Sequence, residues 1–279
     1  MKSAKTESFM HLILQEKMDL CKLFDKQMCI KDDEKSQNKC NNNIMESQNI
    51  SPIKKIVTED TGKMFEMAIC KTYNIEFKGK YNYTYDLYEK LQARLYKLHD
   101  IFPQCIHTAD KGARYDFTAI ANLEQHLSAK TIKKGGAKVA PQVIGQANPN
   151  KFCNIIGIPY ISNFELKEYI QANISSILEL MTEYTFDCDN LYYHQQRNTL
   201  QYIKYKNNIN WNNFEYIWSK DYKSWTNSST CKLYDVNSKK YISIAEFQFH
   251  TKNRKNMAIR WCYDNVLKFF SAHFDIIHL

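Results

Sequence analysis

Turn-forming residues are confined to the middle of this 279-residue chain. All seven glycines lie between Gly62 and Gly157, and all five prolines between Pro52 and Pro159. Glycine permits positive φ and close backbone approach, and proline fixes φ. Tight turns with specific geometry are therefore expected in that middle stretch. The segments on either side must turn on Asn, Asp and Ser.

Hydrophobic residues make up 44% and charged residues 24% of the chain, which excludes wholesale disorder and allows one large domain or two modest ones. No apolar run approaches the about 18 residues a membrane span requires. The N-terminus, Met1-Lys2-Ser3-Ala4-Lys5, lacks the apolar block of a secretory signal. A cytoplasmic protein is expected, with its nine cysteines reduced. None forms a CxxC, so zinc-ribbon and thioredoxin-like motifs have no support. The net charge of +8 suits a polyanionic partner without demanding one.

Residues 1–50 read as an N-terminal helix, with Phe9, Leu12, Ile13, Leu20, Leu23 and Phe24 in helical spacing, followed by a polar linker. Residues 51–279 read as the main domain, with a core over 58–150 and a helical block plus late strands over 160–279. Helices are predicted from Thr58 to about Tyr73, over 84–99, from about Ala140 or Pro141, over 164–183, over 190–206, and from Val266 to Phe274. Strands are predicted over Arg114–Ile120 and Leu127–Ile132, closing a hairpin, and over Tyr241–His250 and Met257–Tyr263. Trp211, Trp218 and Trp225 recur every seven residues, and a core-facing stripe is favoured over a base-stacking platform. There is no internal repeat.

The chemistry concentrates on the first hairpin. Side chains alternate along a strand, so Ser128 and Lys130 share a face, and Asp116 on the partner strand can reach it. A carboxylate beside a lysine, joined by a second carboxylate, is what metal-dependent phosphodiester hydrolysis needs. The acids offer hard oxygen ligands to Mg²⁺, and the lysine offsets charge on the phosphate. An Asp–Lys pair on neighbouring strands is by itself common as a salt bridge. Three further features add to it. Glu66 stands on the upstream helix, one position off its apolar face. Lys133, Lys134 and Lys138 with Gly135-Gly136 favour phosphate approach. Gln142 and Gln146, four apart, would lie on one helix face, within reach of the site or of a base edge.

The order Gly62-Lys63-Met64-Phe65-Glu66, then Tyr115-Asp116-Phe117, then Leu127-Ser128-Ala129-Lys130 resembles the PD-(D/E)XK nuclease superfamily, and within it the type II restriction endonucleases. The resemblance covers residues 58–150 and, more loosely, the C-terminal strands. It implies an α/β fold: a restriction-endonuclease-like mixed, mostly antiparallel central sheet flanked by helices, with a helical block inserted before the C-terminal strands. It also implies Mg²⁺-dependent, sequence-specific cleavage of double-stranded DNA by a homodimer. Glu66 and Asp116 would bind metal, and Lys130 would position the nucleophile, with Ser128 and Gln142 in supporting roles. Tyr115 stands where the family has Pro, and Ser128 where it has an acid; either Glu66, or Glu124 from the hairpin loop, replaces that ligand, or the site holds a single metal.

A rival core lies downstream, where Asp235 and then Glu246-Phe247-Gln248 spell an acid-x-Gln variant of the same pattern. In the alternative reading, Gln248, His250 and Arg254 of that hairpin read bases. The first core is favoured for catalysis because it has the helical Glu, the Lys and the glycines. Two further readings stay open: a non-catalytic sequence-reading protein on a degenerate nuclease scaffold, and a repair or recombination nuclease without sequence specificity. Cys105-Ile106-His107 offers two metal ligands but no second pair at zinc spacing. No GxGxxG, P-loop or Ser-His-Asp elbow is present.

Overall fold

The computed structural model describes residues 58–79, 83–109, 113–133, 137–250 and 256–279. The predicted N-terminal helix and linker, Lys134 with its two glycines, and Arg254 all lie outside the described residues. Residues 55–279 belong to one compact unit.

Helix α1 spans Thr58–Tyr73 and α2 spans Asp86–Leu95, continued by a 3-10 turn over Tyr96–Asp100. Strands β1 (Cys105–His107), β2 (Phe117–Ala119) and β3 (His126–Ile132) follow, and then the short β4 (Lys138–Val139). Helices α3 (Pro149–Ile155), α4 (Asn163–Ala172) and α5 (Ile174–Phe186) form the inserted block. The chain ends with β5 (Asp189–His194), β6 (Thr199–Tyr205), β7 (Tyr216–Trp218), β8 (Ser228–Asp235), β9 (Lys240–Phe249), β10 (Met257–Cys262), α6 (Tyr263–Phe269) and β11 (Phe274–His278).

The fold is α/β, consistent with a restriction-endonuclease-like architecture. Its six-stranded sheet runs β1-β2-β3-β5-β6-β11. The first three strands form an antiparallel meander. β5 lies parallel to β3, pairing Ser128 with Asn190 and Lys130 with Tyr192. A parallel neighbour needs a long crossover, which the helical block supplies. A second, wholly antiparallel sheet, β4-β10-β9-β8-β7, was not expected from the sequence.

The larger sheet is covered on both faces. Phe65, Ile69, Leu91 and Leu95 of the first two helices pack with Leu127, Leu191, Tyr193 and Tyr202 on one side. Ile132, Tyr192 and Ile203 face the other core, shared with α4, α5, Trp211, Trp261 and the inner face of the second sheet. The predicted helix over 190–206 is therefore corrected to the hairpin β5–β6. A strand buried on both faces loses its alternation and reads as a continuous apolar run.

Other expectations also change. The helix over 164–183 is two helices, divided at Asn173, whose backbone N–H and side-chain Nδ2 both donate to the Tyr169 carbonyl. No helix starts at Ala140 or Pro141. A Cβ at Gly145 would stand 2.4 Å from the Pro141 carbonyl oxygen, so this is a tight turn that only glycine permits. The helix starts later, where Asn148 caps the Lys151 N–H at 2.8 Å and Pro149 takes the first position. The last helix ends at Phe269, and the residues after it return as β11 beside β6. Trp211 and Trp225 are buried and serve the core, as expected. No helix among the described residues is long and apolar enough to cross a membrane, and the six described cysteines are all free and buried.

Candidate active site

Asp116 sits immediately before β2, its backbone carbonyl tied to the Thr108 N–H at 2.8 Å. Register places Phe117 opposite Leu127, which brings Asp116 beside Ser128. The Ser128 hydroxyl donates to Asp116 Oδ2 at 2.9 Å, and the Ala129 N–H donates to the same oxygen at 2.7 Å. Both bonds fall on Oδ2, so neither takes up Oδ1. Ser128, 1% exposed, thus orients the aspartate rather than standing in for the missing acid.

Glu66 projects from α1 and is itself buried. Lys63, one turn earlier, donates to both of its oxygens, at 2.7 and 3.0 Å. His107 Nε2 lies 3.3 Å from Oε2. Glu66 is close enough to act on Asp116. Burial drives the Asp116 pKa upward, and the Glu66 charge adds to the rise. The Lys130 ammonium, the Ala129 N–H and the Ser128 hydroxyl oppose it. The helical Glu, the strand Asp and the strand Lys, 64 positions apart at the extremes of the sequence pattern, therefore converge on one place.

The donor set bears on which cation it suits. Among the described residues, no group of three or more His, Cys, Asp or Glu is gathered to hold a metal. That disfavours a closed zinc-type site. Mg²⁺ instead typically binds one or two carboxylates and completes its shell with water and substrate phosphate. Two carboxylates, one of them with an oriented Oδ2, fit that second pattern.

The remaining sequence candidates divide. Glu124 is exposed at the tip of the β2–β3 turn, at the end of the hairpin away from Asp116 and Ser128. It is not brought to the site. Gln142 is buried, with Nε2 donating to Cys188 Sγ at 3.3 Å and Oε1 without a partner, whereas Gln146 is exposed. The turn at Gly145 replaces the helix that would have aligned the two glutamines. Cys188 adjoins the floor of the site: it senses both Lys130 and Asp116, and burial pushes its thiol up to about 12. Lys133 is half-buried at the end of β3.

The rival core is not assembled. Asp235 pairs with Lys240 at one end of the β8–β9 ladder, while Glu246 pairs with Thr230 further along. At about 3.4 Å per residue, that separation is well over 10 Å. Asp235 is instead a turn residue, accepting from the Asn237 and Ser238 N–H groups at 3.0 and 3.2 Å. Glu246 is held by Lys138 and by Arg260, the latter at 2.7 Å. Gln248 accepts from the same Arg260 nitrogen at 2.6 Å. His250 follows the end of β9.

Sequence reasoning missed the working partners of Glu66. His107 was visible only as a metal-ligand candidate beside Cys105. Burial pushes the Cys105 thiol up to about 12, so in the metal-free protein it stays protonated. The strand buries Cys105 and His107 and exposes Ile106, the reverse of what apolarity suggests, so the sequence carried no signal for this partner.

Comparison with known proteins gives one point of reference. The chain is 38% identical over 224 residues to the type II restriction enzyme CviAII of Paramecium bursaria Chlorella virus 1. The match covers 79% of this chain. It spans 63% of that relative, less than two thirds of its length. No family model matches the chain, and no solved structure matches it.

Proposed function

We propose that this chain is a type II restriction endonuclease of the PD-(D/E)XK kind, hydrolysing phosphodiester bonds of double-stranded DNA at a short sequence with Mg²⁺. The observation that carries the proposal is the placement of Asp116, which feels Glu66 and Lys130 at once and takes hydrogen bonds from Ser128 and Ala129. The sequence similarity to a restriction enzyme supports the same reading. Asp116 and Glu66 would hold the cation. When bound, it polarises the scissile phosphate and lowers the pKa of coordinated water. Ser128 and the Ala129 N–H keep Asp116 in one rotamer. Lys130, on the strand face of Ser128, orients the attacking water and offsets charge on the phosphate. Cutting both strands of a duplex needs two such sites or two visits by one, and a homodimer would supply two sites.

Recognition belongs to the second sheet. Amide and guanidinium groups read base edges. Gln248 and Arg260, joined to Glu246 in one hydrogen-bonded row, present such groups on neighbouring strands. His250 and Arg254 would add to that reading, and Lys133 and Lys134 would serve the phosphates.

The test is incubation of the protein with long duplex DNA and Mg²⁺. Discrete fragments are expected. A smear would assign a nuclease without sequence specificity, and intact but shifted DNA would assign a binding protein on a degenerate scaffold.

A further inference from the structure

Glu66 differs from Asp116 in how it is held. On its solvent side stands Lys63, whose side chain is 39% exposed and belongs to the same helix. On its inner side stands His107, whose side chain is 1% exposed. The Lys78 backbone N–H donates to His107 Nδ1 at 3.1 Å. That lone pair is thus engaged, so Nε2 carries the ring proton and donates it to Glu66 Oε2. The ring is fixed in its plane as well. Phe77 stacks on it with centroids 5.2 Å apart, and the Phe117 ring lies tilted against it at 5.1 Å.

The register gives this arrangement its consequence. His107 pairs directly with Phe117, the residue after Asp116. The next backbone N–H, that of Thr108 just after β1, holds the Asp116 carbonyl. One strand therefore positions both carboxylates: Asp116 through its main chain and Glu66 through the imidazole. Lys63 can swing into solvent when a cation approaches; His107, buried and clamped at both nitrogens, cannot.

We propose that His107 is a positioning residue that holds the Glu66 carboxylate in register with Asp116 for a divalent cation. This rests on Glu66 and Asp116 being the cation ligands. Partners that orient ligands in this way typically contribute about 10–100-fold to metal affinity.

The experiment titrates the full chain with Mn²⁺ alone, which takes the same oxygen donors and is read by loss of the free-ion paramagnetic resonance signal. His107→Phe keeps a ring against Phe77 and Phe117 and removes both nitrogens. It should weaken Mn²⁺ binding about 10–100-fold. His107→Gln, which can still donate to Glu66, should recover most of that loss. Thermal melts accompany each titration. If His107→Phe does not melt cooperatively, His107→Asn replaces it: it can accept from Lys78 but is too short to reach Glu66, and the same loss is expected. Asp116→Asn is the control. Mn²⁺ binding at wild-type strength in Asp116→Asn would sink the two-carboxylate reading itself. Weakened binding in Asp116→Asn, with His107→Phe or its Asn replacement within about threefold of wild type, would overturn the role of His107 alone. A lowered melting temperature without a lost affinity would count as that second result.

Discussion

Ser128 stands where the sequence pattern calls for an acid, and its replacement by alanine gives the sharpest test of what it does. Ser128→Ala removes one hydroxyl, buried to 1% exposure, that donates to Asp116 Oδ2 at 2.9 Å. The Ala129 N–H remains on the same oxygen. A hydrogen bond to a charged group contributes about 1.5–3 kcal/mol. At about 1.4 kcal/mol per tenfold, cleavage at neutral pH should fall about 10–100-fold, with DNA binding unchanged. The pH profile should move as well. Ser128 favours the ionised form of Asp116, opposing the upward push of burial and of Glu66. Without it the Asp116 pKa rises further, and the acid limb of the cleavage profile shifts to higher pH. The assay is single-turnover cleavage of a cognate duplex across a pH series. A rate within about threefold of wild type, with an unmoved acid limb, would refute the orienting role.

Asp116→Asn should abolish cleavage by removing a ligand charge, and it should also stabilise the metal-free protein at neutral pH. A carboxyl whose folded pKa lies above its unfolded value binds more protons when folded, so stability falls as pH rises through that window; the gain in melting temperature should vanish below the ordinary carboxylate range. Lys130→Ala should lose most cleavage while gel-shift affinity is kept. Gln248→Ala should lose about 1–3 kcal/mol of discrimination between matched and single-mismatch duplexes, and equal mismatch penalties in variant and wild type would make the second sheet scaffold only.

The legibility of this site follows from how far each inference had to reach. Glu66, Asp116, Ser128 and Lys130 each lie in or beside an element whose local pattern is clear: an amphipathic helix and a two-stranded hairpin. Within such elements the period alone assigns faces. The glutamines failed as a pair because their supposed helix depended on 140–147, where packing of Gly145 against the Pro141 carbonyl imposes a turn. Asp235 and Glu246 failed as a pair because a motif read along the chain says nothing about ladder position, and the β8–β9 register sets them apart.

What the amino-acid sequence determined by itself was local: the first helix, the β2–β3 hairpin with Ser128 and Lys130 on one face, the late β9–β10 pair, and the confinement of tight turns to the centre. Tertiary structure decided whatever depended on two faces being buried together. Leu191, Tyr192 and Tyr193 form a strand because one side of β5 packs on α1 and α2 while the other meets the second core, and that double burial erases the period-two signal. His107 became a partner of Glu66 for the same kind of reason. Its hydrogen bonds span 29 and 41 residues, and contacts of that separation exist only once sheet and helix have closed on each other.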